Sequence, residues 1–397
     1  MLDVLKDFPI LAKNPKLVYL DSACTSLKPR QVIDAEVSYY EELGACGGRS
    51  SHALGRKTSE RTEEAREKVA AFVGAEASGL VWTKNTTEGL NTVTNGLDYS
   101  KKNRVVTTVL EHHAVLLPLM KLRDRGKIRL EIVGCGSDGT VSAERWARAI
   151  DKETALVVTN NGTNTTGWKG NAREVAKIAH DNGALICIDG AQGVPHSRTD
   201  FKREGFDFLC FSGHKMLGPT GIGALVAKKE LLDKLDPLVS GGGTVKTVTH
   251  GKIDPMDDQT RFEAGVQHYA GILGLAAACG YLKKTGMGNV EAHEKTLGAA
   301  LLEQLRAAGA AVYGPQDMAA HSALCSFNLK GGKAHDVALM LDKHNIAVRS
   351  GFFCAQPAME ALGARDGAVR ASAYVYNTLD DVRKFGDALL KLGKLYG

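Results

Sequence analysis

The chain has 397 residues, ample for a sizeable core and, by length, for two or three domains. Hydrophobic residues make up 44% and charged residues 24%, which excludes a disordered or fibrous chain in favour of an ordinary soluble globular one. The net charge of +5 is small for this size, and Lys and Arg are dispersed among acids, so neither nucleic acid nor a membrane surface is indicated as the main partner.

The opening stretch MLDVLKDFPILAK has acids where a signal peptide needs a basic region and a long apolar core. No segment approaches the roughly 20 apolar residues of a membrane span, and the expected location is the cytoplasm. None of the 8 cysteines has C-x-x-C spacing, so neither a zinc ribbon nor a dithiol motif is expected, and no metal site is assigned. Cys187, Cys210, Cys279 and Cys325 sit in apolar neighbourhoods and read as buried small hydrophobes; all are expected to be reduced.

In chain order, residues 1–15 read as an arm before a first strand-like run, 17–20, which opens on Asp21-Ser22-Ala23. The stretch 44–57 is rich in Gly and Ser and reads as a loop able to fold over a site as a lid; Cys46, Arg49 and His52 on it would bring a second thiol nearby. Thr62, Ala65, Val69 and Phe72 have helical spacing over 59–73, with Ser59 as cap and Gly74 as stop. Strands and helices then alternate: strands at 80–83, 104–110, 130–133, 156–159, 184–188, 206–211 and 223–227, with helices opening near Asn85 and His112 and over 143–150 and 172–182. Such alternation implies crossovers and a mostly parallel sheet. A glycine-rich loop at 240–244 and a polar run to Asp258 precede an apolar helix at 271–282, too rich in small residues to lie on the surface. Two long helical patterns, 290–308 and 379–395, and short strands near 326–329 and 347–349 make the remainder α+β. The expected division is an arm at 1–15, a large domain at 16–262, a connecting helix at 263–284 and a small domain at 285–397.

The polar residues that end the strands 184–188 and 206–211 draw attention first. Ligands of open α/β sheets sit at the carboxyl edge of the strands, and there Asp189 and Lys215 offer an acid and an amine. That pair suits pyridoxal phosphate, which needs a lysine for its Schiff base and a carboxylate on its pyridinium nitrogen. A loop lysine is ordinarily just solvated. Here Gly213-His214-Lys215 interrupts two apolar runs, and desolvation lowers a lysine pKa as an imine-forming nucleophile requires. Asp189 could equally cap the next helix. Thr86 and Thr87 head a helix after a strand, where backbone N–H groups receive phosphate, and Ser212 and His214 could complete the cup. His112 or His113 could stack on an aromatic cofactor or serve as an ordinary histidine. Cys354, in a loop beside Arg349, reads as an accessible, nucleophilic thiol. A nicotinamide site is poorly supported, because no G-x-G-x-x-G follows the first strand.

Eight motifs in order, N-T-T-E-G (85–89), E-H-H (111–113), T-N-T-T-G (163–167), D-G-A-Q (189–192), S-G-H-K (212–215), R-F-E-A-G (261–265), R-S-G-x-x-C-A-Q-P (349–357) and V-R-A-S (369–372), span nearly the whole chain. Together they resemble the class V aminotransferase group, and within it the Suf-type cysteine desulfurases and selenocysteine lyases. The resemblance implies a pyridoxal-phosphate-dependent transferase of fold type I, with a seven-stranded, mostly parallel sheet between helices and a smaller α+β C-terminal domain. It implies Lys215 as the Schiff-base lysine, Asp189 on the pyridinium nitrogen, His112 stacked on the ring, and Gln192 and Asn164 by the ring hydroxyl and substrate. Thr86, Thr87, Ser212 and His214 would hold the phosphate, Arg370 would clamp the substrate carboxylate, and Cys354 would accept sulfur. The implied reaction turns L-cysteine into L-alanine and leaves a persulfide on Cys354, for a protein acceptor of iron–sulfur cluster assembly; a homodimer is implied. Selenocysteine lyase or another class V reaction keeps the same cofactor, and a catalytically silent partner of iron–sulfur assembly keeps the fold alone. Two positions depart from the pattern. Phe352 and Phe353 stand where histidines are common before the cysteine, and Val266 stands where a threonine would reach a neighbouring subunit's phosphate.

Overall fold

Seven strands form the central sheet of the computed structural model, which describes residues 2–318 and 321–396. In chain order they are β1 (Leu80–Thr83), β2 (Arg104–Thr108), β3 (Arg129–Val133), β4 (Thr154–Asn160), β5 (Leu185–Asp189), β6 (Phe208–Ser212) and β7 (Gly223–Ala227). They lie in the order β1-β7-β6-β5-β4-β2-β3. All neighbours are parallel except that β7 runs against both β1 and β6. Strands covered on both faces should be apolar at successive positions rather than alternating, and β5 and β6 are so built. Ile186, Ile188, Leu209 and Phe211 enter the core on one face, while Cys187, Phe208 and Cys210 enter the core on the other. Burying a side chain of this size stabilises by about 1.5–3 kcal/mol, so the strand ends inherit a rigid base.

The carboxyl ends of β1, β2, β4, β5 and β6 share one edge, and each is followed by a polar turn. The helix Thr86–Gly96 follows β1, capped by Asn85 Oδ1, which accepts from Glu88 N at 3.0 Å. Gly89 lets this helix lie on β6: a Cβ there would come within 2.9 Å of Cys210 Sγ. The turn Gly213–Lys215 reverses the chain from β6 towards β7.

A second, four-stranded antiparallel sheet comprises Ala311–Tyr313, Leu324–Asn328, Ala368–Ser372 and Arg349–Gly351, in that spatial order. It shares a separate hydrophobic core with the helices Met287–Ala307 and Leu379–Tyr396. Val18 and Leu20 also belong to that core, because Val18–Tyr19 pairs in parallel with Ile346–Ala347. The N-terminal strand thus packs with the C-terminal half, where the sequence assigned it to the large domain.

Three elements differ from expectation. The helix placed at 59–73 runs over Ala53–Phe72, starting where His52 Nδ1 accepts from Gly55 N at 3.2 Å, so the supposed loop is helical in its last residues. The polar run before Asp258 contains a hairpin, Val245–Thr249 with Lys252–Pro255; its exposed apolar residues gave no buried face to signal a strand. The arm contains a short helix, Pro9–Lys13, anchored by fully buried Phe8 edge-on against Tyr281 and Tyr376. The apolar helix, Tyr269–Thr285, packs inside the chain against Arg30–Ser38 and Ala53–Phe72. No helix among the described residues is long and apolar enough to cross a membrane.

Candidate active site

At the shared strand edge lies a cavity of about 230 Å³. Its wall brings together Thr86, Thr87, His112, Asn164, Asp189, Gln192, Ser212, His214 and Lys215 from the large sheet with Cys354 and Arg370 from the C-terminal half. These are the eleven residues to which the family resemblance gives a cofactor, substrate or catalytic role. Cys46 is not on the wall; its thiol contacts Tyr269 Oη at 3.7 Å, and Arg49 binds the Val245 carbonyl. The second thiol of the cavity is instead Cys24.

The floor is fixed by hydrogen bonds. Asp189 ends β5, is 5% exposed, and accepts from Ala191 N at 3.0 Å. Burial pushes its carboxyl up, opposed by the charge of Lys215. Lys215, half-buried in the turn after β6, shows the converse: burial lowers its amine and Asp189 opposes the fall. The backbone N–H of Thr86 donates to Ser212 Oγ at 2.8 Å, and the two hydroxyls lie 2.7 Å apart. Two hydroxyls are therefore held at the N-terminal, electropositive end of a helix. His112 Nδ1 accepts from Ala114 N at 3.0 Å, capping the helix His113–Asp124. Burial, then the Lys215 charge, pushes this imidazole down to about 3, so it is neutral with its proton on Nε2. Burial likewise lowers His214 to about 4.

Beneath the floor lies a residue that the sequence reading quoted in a motif but gave no task. Glu111 is fully buried and accepts from Thr108 Oγ1 (2.8 Å), Thr159 Oγ1 (3.1 Å) and Asn160 Nδ2 (3.0 Å). Burial raises it to about 7, with the nearby Asp189 charge adding to the rise. It ties the ends of β2 and β4 together behind Asp189.

The roof is built from distant segments. Arg370, 2% exposed, donates Nη1 to the Asn164 carbonyl at 2.9 Å and Nη2 to Asp21 Oδ1 at 3.3 Å. Its guanidinium lies 4.9 Å from the centroid of the Phe353 ring. Asp21 also receives Arg349 Nη2 at 3.0 Å, so it holds both arginines. Asn164 Nδ2 donates to the Phe353 carbonyl at 2.7 Å, and His113 N to the Cys354 carbonyl at 2.7 Å. Phe353 and Cys354 both have φ of 55°, a left-handed conformation costly for side chains other than glycine. Asp21 and Phe353 were legible only as a strand end and as an apolar neighbour of the cysteine.

The donors fit pyridoxal phosphate. There is an amine for the aldehyde, a buried carboxylate for the ring nitrogen, a neutral imidazole on the wall and a hydroxyl-lined helix terminus for the phosphate. Arg370 Nε, buried with no hydrogen-bond partner, still lacks an acceptor, which suits a carboxylate entering the cavity.

A family model described as Aminotransferase class-V matches residues 18–385. The chain belongs to the class-V aminotransferase family. One relative, a probable cysteine desulfurase of Methanothermobacter thermautotrophicus, is 38% identical over 397 aligned residues that cover 98% of this chain and 96% of that protein. Among solved structures, the apo cysteine desulfurase of Thermococcus onnurineus superposes with a TM-score of 0.95 at 37% identity, covering 99% of this chain and 98% of that one. The cysteine desulfurase CsdA of Escherichia coli gives 0.91 at 30% identity, covering both chains completely. The fold is that of these enzymes over the whole chain.

Proposed function

We propose that the protein is a pyridoxal-phosphate-dependent cysteine desulfurase that converts L-cysteine to L-alanine and takes the sulfur as a persulfide on Cys354. The observation that carries this reading is that a loop thiol and a buried arginine from the C-terminal half face the same cavity as Lys215 and Asp189. Transamination has no use for that thiol.

In this reading Lys215, Asp189, His112, Gln192, Thr86, Thr87, Ser212 and His214 hold the cofactor. When bound, pyridoxal phosphate supplies an electron sink for a carbanion at the substrate Cα. Arg370 and Asn164 orient the substrate carboxylate, the planar guanidinium suiting a bidentate contact. Lys215 Nζ, its basicity lowered by burial, removes the Cα proton and later returns one. Asp189 would accept from the ring nitrogen of the cofactor, whose positive charge would favour the carboxylate that burial disfavours. Cys354 gives up its thiol proton and its Sγ attacks the substrate sulfur; the carbon–sulfur bond breaks with its electron pair passing to the substrate Cβ, which takes up a proton to become the methyl group of alanine, and the sulfur stays on Cys354 as a persulfide. Phe352 and Phe353 offer no proton at this step, which leaves Lys215, the Nε2–H of His112 or solvent to supply it.

Cys354 is solvent-exposed, which gives an acceptor protein access to the persulfide. We assign that acceptor to iron–sulfur cluster assembly and the site of action to the cytoplasm. A homodimer is part of the same proposal: Val248, Ile253 and Val266, at 63%, 67% and 79% exposed, leave apolar surface uncovered around the hairpin. The test is alanine and sulfide production from L-cysteine by wild type and Cys354→Ser. Alanine formation lost with the thiol is expected; equal turnover of both proteins overturns the persulfide route.

A further inference from the structure

The cavity holds a second thiol for which the reaction above has no task. Cys24 follows the N-terminal strand on a turn whose backbone is held from several sides. Its own N–H donates to the Asp21 carbonyl at 3.0 Å, the preceding Ala23 N–H donates to Ser372 Oγ at 2.9 Å, and the Ala23 carbonyl accepts from Gln192 Nε2 at 2.8 Å. The thiol is half-buried and reduced, and it lies on the cavity wall together with Cys354. Both sulfurs are within electrostatic reach of the Lys215 amine, and Cys24 is also within reach of Arg349 and Arg370. Arg370 Nε, on the same wall, is buried without a hydrogen-bond partner, so once the carboxylate of the product has left, this cation-rich corner is again short of an anionic acceptor.

The two thiols are held differently. Cys24 sits on a pinned turn inside the cavity. Cys354 stands exposed at its mouth, the second of two successive residues held in the left-handed region. A persulfide extends Cys354 by a further S–S bond of about 2 Å, and its terminal sulfur is an anion of the kind that the corner lacks.

We propose that Cys24 is a second sulfane-sulfur site, loaded from the Cys354 persulfide within the cavity; this rests on the desulfurase reading. Cys24 gives up its thiol proton and its Sγ attacks the outer sulfur of the Cys354 persulfide. The S–S bond at Cys354 breaks as one at Cys24 forms, and the electron pair and proton end on Cys354 Sγ. The exchange is an isomerisation in which nothing is oxidised or reduced overall, so it needs no further reagent. Sulfur stored on Cys24 is shielded from solvent thiols, and Cys354 is free to take a second sulfur before any acceptor arrives.

The test uses holoenzyme loaded with pyridoxal phosphate, mixed anaerobically with L-cysteine without added reductant and quenched at short times. Alanine is counted and, after alkylation, sulfane sulfur is located by peptide mass. Wild type is expected to form about twice the alanine burst of Cys24→Ala or Cys24→Ser, with sulfane sulfur on both the Cys24 and Cys354 peptides. Cys354→Ser should leave the Cys24 peptide unmodified. Equal bursts in wild type and both Cys24 variants with an unmodified Cys24 peptide overturn this proposal and leave the desulfurase reading standing. Sulfane sulfur on Cys24 in Cys354→Ser overturns the transfer, since no donor would be needed. Absence of alanine from every protein overturns the desulfurase reading itself, and this proposal with it. The wild-type peptide result stands whether or not a Cys24 variant folds.

Discussion

The floor and the roof of the cavity are made by opposite means. The floor residues Asp189, Ser212 and Lys215 stand at the ends of strands buried on both faces, and each is placed by its own element and the next turn. The roof residues Arg370, Phe353 and Cys354 are placed by partners far away in the chain: Asp21, Asn164 and His113. Asp189, Ser212 and Lys215 themselves lie outside the left-handed region, whereas the roof holds two adjacent side-chain-bearing residues in it. The part that must bind a cofactor is therefore rigid by construction, and the part proposed to deliver sulfur is held under strain by a few hydrogen bonds.

This contrast can be broken most severely at the floor. Lys215→Ala should lower turnover by about 10²–10⁴, the usual worth of a positioned base, while leaving the fold intact, because its side chain anchors nothing in the core. Steady-state alanine formation with circular dichroism as control checks it, and near-normal turnover would remove Lys215 from the chemistry.

A smaller effect should appear with pH. His112 stays neutral in the folded chain down to about 3, against an ordinary value of 6.5, whereas the unfolded chain takes up its proton near 6.5. Folding stability from this group is therefore complete above 6.5 and falls as pH drops from there towards 3. Between pH 6.5 and 5 the loss is at most about 2 kcal/mol. Glu111 works in the opposite sense, its raised carboxyl favouring the folded state as pH falls from about 7, so the histidine contribution is best isolated by difference. Urea unfolding of wild type and His112→Gln at both pH values should show a shallower loss in the variant. Parallel losses would place the imidazole in contact with water.

The smallest effect sharpens the account of the roof. Phe353→Ala removes the ring beside Arg370 and keeps the left-handed strain, while Phe353→Gly removes both. The glycine variant should unfold at higher denaturant than the alanine variant by about 1 kcal/mol; the reverse order would mean that position 353 is unstrained in solution.

The same contrast decides what the sequence could tell. Asp189 and Lys215 were legible because an unbroken apolar run ending in a polar residue is a local signal. Gly89 could be quoted within a motif, yet its reason, the approach of a helix to Cys210, appears only in three dimensions. The task of Asp21, holding Arg349 and Arg370 at once, joins residues 328 and 349 positions apart and leaves no local trace. Nothing nearby in the chain distinguishes Cys24, a thiol in a polar turn, whereas the Gly-rich loop around Cys46 carries a local signal of its own. The hairpin at 245–255 was missed because neither of its faces is buried.

The ion pair between Asp21 and Arg370 also sets a clock for the newborn chain. At the 5–20 residues per second of protein synthesis, the 349 positions between them take roughly 20–70 s to make. For the last 155 of those positions, roughly 8–30 s at the same rate, Lys215 exists and can meet aldehydes, but the arginine that would orient a substrate does not. Reactive chemistry is withheld until translation is nearly complete.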